Sequence, residues 1–157
     1  MKNLKLTSMA LLLGLIVIAS CKTDPPPEPS AEEKQTALLA QTWKAGTAAN
    51  DITLDGANEI GNWDGFTVTF TANGTYTTTN TSAGRENVWP ATGSWEFKGK
   101  GTDNVDVNTI IRDAGSNNET PVSITVAETT LRMTFDYTNP GGRLGGTEGA
   151  WVFNMVE

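Results

Sequence analysis

The chain has 157 residues, 11 basic against 18 acidic, a formal net charge of −7, no histidine and a single cysteine. The acidic balance disfavours nucleic acid as a partner. The lack of histidine excludes Ser-His-Asp and Cys-His catalysis and the imidazole-based zinc and non-haem iron sites, which leaves an enzyme only carboxylate, lysine or tyrosine chemistry.

The N-terminus has the pattern of a secretion signal that ends in a cysteine. Two lysines precede an eleven-residue apolar run from Met9 to Ala19, which is too short to span a bilayer. The run ends in Ile18-Ala19-Ser20-Cys21, which resembles the lipobox of bacterial lipoprotein signals. The resemblance implies cleavage of residues 1–20 and lipid attachment at Cys21. The alternative is an ordinary signal peptide with a chance cysteine.

The mature chain implied by this signal has 137 residues, enough for one domain with a real core. Cleavage removes two lysines and no acids, which leaves nine basic and 18 acidic residues and a net charge of −9. Lys22 follows the cysteine where an aspartate would retain some bacterial lipoproteins in the inner membrane. We therefore expect the protein to be anchored to the outer membrane through the lipid on Cys21.

A tether and a short helix lead into the domain. Residues 21–30 include the acidic, proline-rich run KTDPPPEP, which lacks apolar side chains and favours a polyproline II spacer. Ser30 and Glu33 form a capping box at the start of a predicted helix, and good helix formers continue to Gln41. The domain is accordingly predicted over residues 31–157, with Leu38 and Leu39 fixing the helix to it.

From Thr42 onward threonine, valine, glycine and aromatic residues dominate, and apolar residues alternate with polar ones at a period of two. This pattern predicts an all-β domain. Trp43, Trp95 and Trp151 fall on apolar faces and are predicted to lie in the core. Eight antiparallel strands with one apolar face each must close into a barrel or fold into a sandwich. The strands are predicted at about residues 42–48, 65–71, 75–80, 92–98, 104–111, 121–127, 130–137 and 149–156.

The clearest hairpin runs from Gly65 to Asn80, and its side chains favour one register. A two-residue turn would set Phe70 opposite Thr77 and mix the two faces. A three-residue loop with Gly74 in the left-handed region pairs Phe70 with Tyr76 instead. We predict the three-residue loop, because it gives one apolar face and one ladder of threonines.

Six short runs resemble one family over roughly residues 36–157. They are LLAQTWK at 38–44, FTVTF at 66–70, NGTY at 73–76, GSWEF at 93–97, LRMTF at 131–135 and GAWVF at 149–153. They look like the lipocalin-like lipoproteins of Bacteroidetes. The resemblance implies an eight-stranded antiparallel up-and-down barrel, with Trp43 closing one end. The chain departs from the lipocalin pattern Gly-x-Trp, since Gln41 stands in place of the glycine.

In an up-and-down meander, successive connections alternate between the two ends of the sheet. The predicted odd-numbered connections, at about 49–64, 81–91, 112–120 and 138–148, are long, and the even-numbered ones are short. One end is therefore predicted to carry all the long loops, where binding residues usually lie. The chain enters at the other end, so the N-terminal helix should cover that short-turn base and the long-loop rim should face away from the membrane.

Five residues of the long loops are candidate ligand-binding residues: Trp63, Trp89, Arg85, Arg112 and Arg143. An exposed tryptophan can stack on a sugar or cover an apolar ligand, and arginine can hold a carboxylate or phosphate. Alternatively, the tryptophans fold back as plugs over the barrel. In that case the arginines pair with nearby acids, Glu86, Asp113 and Glu148.

Two functions remain open on the sequence. The first is a monomeric binding module that holds a small apolar or glycan-like ligand at the rim. The second is a structural or interaction lipoprotein with a filled barrel, whose rim loops contact another envelope protein. The many aromatic residues on inward faces make a filled barrel at least as compatible with the sequence as a deep pocket. No enzymatic activity, cofactor or metal is expected.

Overall fold

The computed structural model describes residues 26–79, 84–139 and 146–157. Cys21, the predicted signal and Arg143 lie outside these ranges. Helix α1 (Ala31–Leu39) begins where the capping box predicts. Ser30 Oγ accepts a bond from the Glu33 backbone N–H at 3.1 Å, and Glu33 Oε2 accepts one from the Ser30 N–H at 2.7 Å. Both orphan donors at this helix end are thereby satisfied.

The described residues form ten strands, eight of which make a closed antiparallel barrel. The eight barrel strands follow one another around the wall, and β1 pairs with both β4 and β10, which closes the sheet. The predicted all-β up-and-down architecture is confirmed. The strands are β1 (Thr42–Ala45), β2 (Ile52–Leu54), β3 (Ala57–Asn58), β4 (Thr67–Phe70), β5 (Thr75–Thr79), β6 (Thr92–Lys98), β7 (Asp106–Arg112), β8 (Thr120–Val126), β9 (Thr130–Tyr137) and β10 (Gly149–Val156).

The β4–β5 hairpin has the predicted register. Phe70 pairs with Tyr76, and Gly74 has a φ of 84°. On the outer face the hydroxyls of Thr67 and Thr79 lie 2.6 Å apart, as one rung of the threonine ladder. The three-residue loop is therefore confirmed, because only this register keeps both aromatic side chains inside the barrel.

The first long connection contains two strands that the sequence analysis missed. Strand β1 has only four residues, and its pairing with β10 is confined to Lys44 with Val156 and Ala45 with Met155. Beyond that point β2 pairs with β10 instead, from Trp151 to Phe153, and β3 pairs with β2. The β2–β3 hairpin thus continues the barrel wall at the rim, where β1 ends.

Aromatic side chains fill the barrel. The chain has five tryptophans, five phenylalanines and two tyrosines, and all of them are buried. Phe153 lies near the middle of this cluster, with ring centroids 4.8 Å from Trp63, 5.7 Å from Phe135 and 6.1 Å from Trp89. Trp43, Trp95 and Trp151 are core residues, as predicted.

Helix α1 lies at the short-turn end of the barrel, as predicted. Leu39 is fully buried, and Leu38 is half-buried. The Gln41 side chain donates to the carbonyl of Glu128, in the short connection between β8 and β9, at 3.2 Å. The Trp43 indole N–H donates to the Leu39 carbonyl at 3.0 Å, which joins the helix end to the first strand. Within the described residues, no helix is long and apolar enough to span a membrane.

Candidate functional site

The two rim tryptophans are not exposed. Trp63 and Trp89 each have 0% of their surface accessible, so of the two alternatives that the sequence left open, they fold back as plugs over the barrel. Trp63 packs edge-on against Phe66 at 4.9 Å and against Trp151 at 5.7 Å between ring centroids. Both side chains turn from the long connections into the barrel, because burial of an indole in the aromatic core is more favourable in free energy than exposure to water.

Their indole N–H groups nevertheless distinguish them from the other three tryptophans. Trp43, Trp95 and Trp151 all donate to backbone carbonyls, at 3.0 to 3.2 Å for the first two and 2.9 Å for Trp151. Within the described part of the chain, the indole N–H groups of Trp63 and Trp89 have no acceptor. A buried donor without a partner costs about 1–3 kcal/mol. The long-loop end therefore has hydrogen-bonding capacity that the short-turn end lacks.

Arg112 is the last residue of β7 rather than a loop residue, and it points into the barrel with 1% of its surface exposed. This corrects the prediction of an exposed rim arginine. Residues 105–107 of the chain keep the predicted alternation, but the β6–β7 register shifts between Phe97 and Lys98, so Ile110 and Arg112 face inward instead. The register shift therefore places the charged side chain of Arg112 in the aromatic core.

The guanidinium of Arg112 is held on several sides. It donates to the Val88 carbonyl at 2.7 Å and to the Thr120 hydroxyl at 3.0 Å, both in or beside long connections. Its central carbon lies 4.8 Å from the Trp89 ring and 5.7 Å from the Phe135 ring, within cation–π range. Burial lowers the pKa of Arg112, although the group remains a cation at neutral pH.

Asp113 is the counter-ion of Arg112. Its Oδ2 lies 3.6 Å from Arg112 Nε and accepts the Tyr76 hydroxyl at 3.1 Å, while its Oδ1 accepts the Ser94 N–H at 3.0 Å. The pairing of Arg112 with Asp113 that the sequence analysis gave as an alternative is therefore present. Burial, with a smaller contribution from Asp113, raises the pKa of Tyr76. Arg112, Asp113 and Tyr76 thus link β5, β6 and β7 at the rim.

Arg85 forms an ion pair, but not with the adjacent acid. Its Nη2 lies 2.8 Å from Glu59 Oε2, which joins the second long connection to the first. Glu86, the predicted partner, accepts the Gly84 N–H instead. The Arg143 prediction falls outside the described residues. In the described chain, the buried side-chain nitrogens without a hydrogen-bond partner belong to Trp63, Arg85, Trp89 and Arg112.

A cleft of about 610 Å³ lies at the long-loop end. Arg112 and Thr120 lie at the ends of barrel strands, and Tyr137 ends β9, so these three side chains form the part of the cleft nearest the core. The remaining walls come from three of the four long connections. They include Asn87, Pro90, Asn117, Asn118 and Asn139, and Pro121 of β8 also lines the cleft.

Most of the side chains described in the cleft lining are polar, and their formal charge is negative. Among the residues that the structure describes, the carboxylates of Glu86, Glu119 and Asp136 line the cleft, with Arg112 as the cation. Glu119 accepts the Gly115 N–H at 2.9 Å, which fixes that carboxylate on its own loop. Amides and hydroxyls, which both donate and accept hydrogen bonds, and carboxylates, which accept them, can hold a small polar ligand in a defined orientation.

The candidate residues that the structure describes lie at the long-loop end of the barrel, but they do not share one surface. Of the candidates within the described ranges, only Arg112 lines the cleft. Thr120 and Tyr137 were not among the predicted site residues, and Asp113 was predicted only as an ion-pair partner of an arginine. The Thr120 hydroxyl accepts a hydrogen bond from Arg112. Its inward position could have been predicted, because Thr120 continues the alternation of Val122 and Ile124 on β8.

These observations define a closed eight-stranded antiparallel barrel with an aromatic core, a covered base and a polar cleft at its long-loop rim. Comparison with known proteins adds no further likeness: no family model, no curated protein and no solved structure matches the chain.

Proposed function

We propose that the protein is a lipid-anchored binding module that holds a small, polar, glycan-like ligand in the rim cleft. The observation that carries this proposal is the cleft itself, about 610 Å³ in volume and ending on buried Arg112. Pockets of roughly 300–1,000 Å³ with a few fixed polar groups are typical small-molecule sites. The proposal includes membership in the lipocalin-like lipoproteins that the sequence resembles, and a binding rather than an enzymatic role.

The ligand is polar rather than apolar because of where the free volume lies. The barrel interior, where an apolar ligand would sit, is occupied by the aromatic cluster around Phe153. The rim cleft instead offers four asparagines, at 87, 117, 118 and 139, together with carboxylates and hydroxyls. Such side chains exchange hydrogen bonds with the hydroxyls of a sugar, which both donate and accept.

Native mass spectrometry of the protein purified from its own host tests this function. We expect a co-purified small molecule on the natural protein. Asn117→Trp, which fills the cleft from an exposed loop, should abolish that species, and Asn73→Trp in the short β4–β5 turn should retain it. A ligand that stays bound to the Asn117→Trp variant, or apparent mass identical to the bare lipidated chain in every preparation, contradicts the proposal.

The filled barrel favours a second candidate, an interaction lipoprotein whose rim loops contact another envelope protein. The two candidates differ in what Asn117→Trp removes. Cross-linking in intact cells should give the same protein partners for the natural chain and the variant if the cleft binds a small molecule. Loss of one specific protein cross-link, with no small molecule on the natural chain, would instead support the interaction function.

The lipid anchor is the second part of the proposal. Cys21 is the only cysteine, so lipidation leaves the mature chain without a thiol. We expect Cys21→Ala to leave the protein unanchored, since the lipid attachment needs the sulfur. The measurement is fractionation of cells after a salt wash, with the natural chain as control. A variant that still sediments with the outer membrane would show that something other than the lipid holds it.

A further inference from the structure

The barrel wall is interrupted between β8 and β9 at the long-loop end. The two strands pair up to Ser123 with Thr134, and within the described residues no pair lies beyond it, although β8 begins at Thr120 and β9 continues to Tyr137. Over the same residues β8 stays paired with β7, and β9 stays paired with β10. Both strands are therefore intact, and only the ladder between them stops.

Hydrogen bonds on the far side of β10 fix which backbone groups of β9 face this gap. The Ala150 N–H donates to the Asp55 carboxylate at 2.9 Å, and the Ala150 carbonyl accepts the Asp55 N–H at 2.8 Å. In an antiparallel ladder, two paired residues either exchange bonds with each other or both bond outward. Asp136 pairs with Ala150, so the N–H and the carbonyl of Asp136 face β8.

Pro121 would be the partner of Asp136 if the register continued from Ser123 and Thr134. Such a pair exchanges two hydrogen bonds, but proline has no N–H to donate. Proline inside a ladder is expected only where pairing ends, and the pairing of β8 with β9 ends here. The Asp136 carbonyl thereby loses the donor that β8 would have supplied.

The rim cleft extends across this gap. Its lining includes Pro121 and Asp136, whose side chains lie on the outer face of the wall, and Arg112 and Tyr137, whose side chains lie on the inner face. The separation of β8 from β9 therefore makes part of the cleft. Because the Asp136 carbonyl faces β8, it is directed into the cleft as an acceptor without a ladder donor.

The charges around the cleft decide which donor suits this carbonyl. Among the described residues, Glu86, Glu119 and Asp136 supply carboxylates to the lining, and Asp113 balances the charge of Arg112. A neutral hydroxyl can donate to a carbonyl, but a protonated amine also gains from the surrounding carboxylates. A ligand carboxylate or phosphate would be repelled. The lining therefore favours a cationic donor.

We propose that the cleft binds an amino sugar, whose protonated amino group donates to the main-chain carbonyl of Asp136 in place of the missing strand partner. This rests on the proposed function and names its ligand class. Pro121 is the positioning residue, because it keeps β8 from pairing with β9 and leaves the carbonyl free for the ligand.

The change Pro121→Thr tests the gap without any ligand, because it restores a backbone N–H at position 121. We expect this N–H to donate to the Asp136 carbonyl and to exchange with solvent at least about tenfold more slowly than an exposed amide. Pro121→Ala restores the N–H with a smaller side chain and should behave in the same way. An amide at position 121 that exchanges as fast as an exposed one in both variants would show that proline does not hold the strands apart.

Three disaccharides on the full chain in detergent, at mildly acidic pH, test the ligand class. Chitobiose carries protonated amino groups, cellobiose has hydroxyls in their place, and N,N′-diacetylchitobiose has neutral amides. We expect chitobiose to bind at least about tenfold more tightly than either of the others and to shift the carbonyl carbon resonance of Asp136. Pro121→Thr should weaken chitobiose binding at least about tenfold. Thr125→Val, on the part of β8 that pairs with β9, is the control and should leave it unchanged.

The outcomes separate the ligand class from the function. If cellobiose or N,N′-diacetylchitobiose binds in the cleft as tightly as chitobiose, the cleft is a sugar site and the amino-sugar inference is wrong. If chitobiose binds the Pro121→Thr variant as tightly as the natural chain, acids elsewhere hold the cation and the inference is also wrong. If none of the three sugars perturbs a cleft residue, both the inference and the glycan-binding function fail.

Discussion

At the scale of single residues, Arg112 is the side chain that links the cleft to the barrel core. It is the buried cation that ties the Val88 and Thr120 segments together, and its charge is matched by Asp113 and by two aromatic faces. A buried ion pair is weak evidence of stability by itself, but removal of one partner leaves the other uncompensated. Arg112 therefore couples the geometry of the cleft to the stability of the barrel.

The change Arg112→Met tests this coupling. It keeps most of the side-chain volume but leaves the Val88 carbonyl and the Thr120 hydroxyl without their donor and the Asp113 carboxylate without its counter-ion, so we expect a loss of about 3 kcal/mol in the free energy of unfolding. The matched control is Arg132→Met, because Arg132 is exposed and contacts only the Asn154 side chain at 3.0 Å among the bonds described. Urea denaturation should show the control within about 0.5 kcal/mol of the natural chain. Equal losses in both variants would contradict the role given to Arg112.

Tyr76 makes the stability depend on alkaline pH. Its pKa is raised above the ordinary value of 10 because burial disfavours the phenolate, and the nearby Asp113 charge adds to this. Above pH 10 the unfolded chain loses this proton while the folded chain keeps it, so the stabilisation is complete below pH 10 and is lost as the pH rises. Arg112, which faces Tyr76 from β7, lowers the Tyr76 pKa but does not cancel the shift.

Tyr76→Phe removes this titration. At neutral pH the variant should be less stable by about 1–2 kcal/mol, since the bond to Asp113 is lost. Above pH 10 the difference in the free energy of unfolding between the natural chain and the variant should shrink by up to about 1.4 kcal/mol per pH unit. Urea unfolding of both proteins from pH 7 to 11 measures the difference, and Tyr137, present in both, cancels. Parallel pH curves would mean that Tyr76 titrates normally in the folded protein.

At the scale of secondary structure, the β4–β5 hairpin depends on one glycine. A side chain at Gly74 would face two penalties, because its φ is +84° and a Cβ there would lie 2.9 Å from the Trp95 carbonyl oxygen. Gly101, in the β6–β7 connection, has a φ of +80° but nothing within 4 Å of the corresponding position. Substitutions at Gly74 and Gly101 can therefore be compared to separate the cost of the left-handed backbone from the cost of the steric clash with Trp95.

Gly101→Val should cost about 1 kcal/mol for the left-handed conformation alone, and Gly74→Val about 2 kcal/mol or more. Chemical denaturation measures both changes. The hydrogen bond from the Trp95 N–H to the Gly74 carbonyl, at 2.8 Å, lies at the same site, so amide exchange at Trp95 should rise in the Gly74 variant only. Identical losses at the two glycines would show that the Trp95 contact does not limit the turn.

Local periodicity predicted the barrel strands and the hairpin register because each strand buries one face, so a shift by one residue would expose every apolar side chain. It could not predict the β2–β3 hairpin, whose pairing with β10 depends on where β1 ends. The inward turn of Arg112 was missed for a similar reason, since the β6–β7 register shift is a property of two strands together. The burial of Trp63 and Trp89 depends on the space left in the assembled barrel, which no local pattern records.

At the scale of the whole molecule, the two ends of the barrel are chemically different. Helix α1 and three short connections seal one end, and Leu39 and Trp43 fill it. The other end has the long connections, the unpaired donors and the cleft. The chain reaches the barrel through the helix, so a lipid on Cys21 would hold the sealed base toward the membrane.

This arrangement predicts that the cleft faces away from the lipid. The proposed lipidation would consume the only cysteine of the sequence, so a single new cysteine could carry a fluorophore without competition. Asn73→Cys places the label in the short β4–β5 turn at the base, and Asn118→Cys places it on the rim beside the cleft; both positions are exposed. With the lipidated protein in vesicles that contain nitroxide headgroups, quenching should be stronger at residue 73 than at residue 118.

Omission of the nitroxide lipid is the control for local effects on each label. Stronger quenching at residue 118 would place the cleft against the membrane, where a ligand from the aqueous side could not enter it.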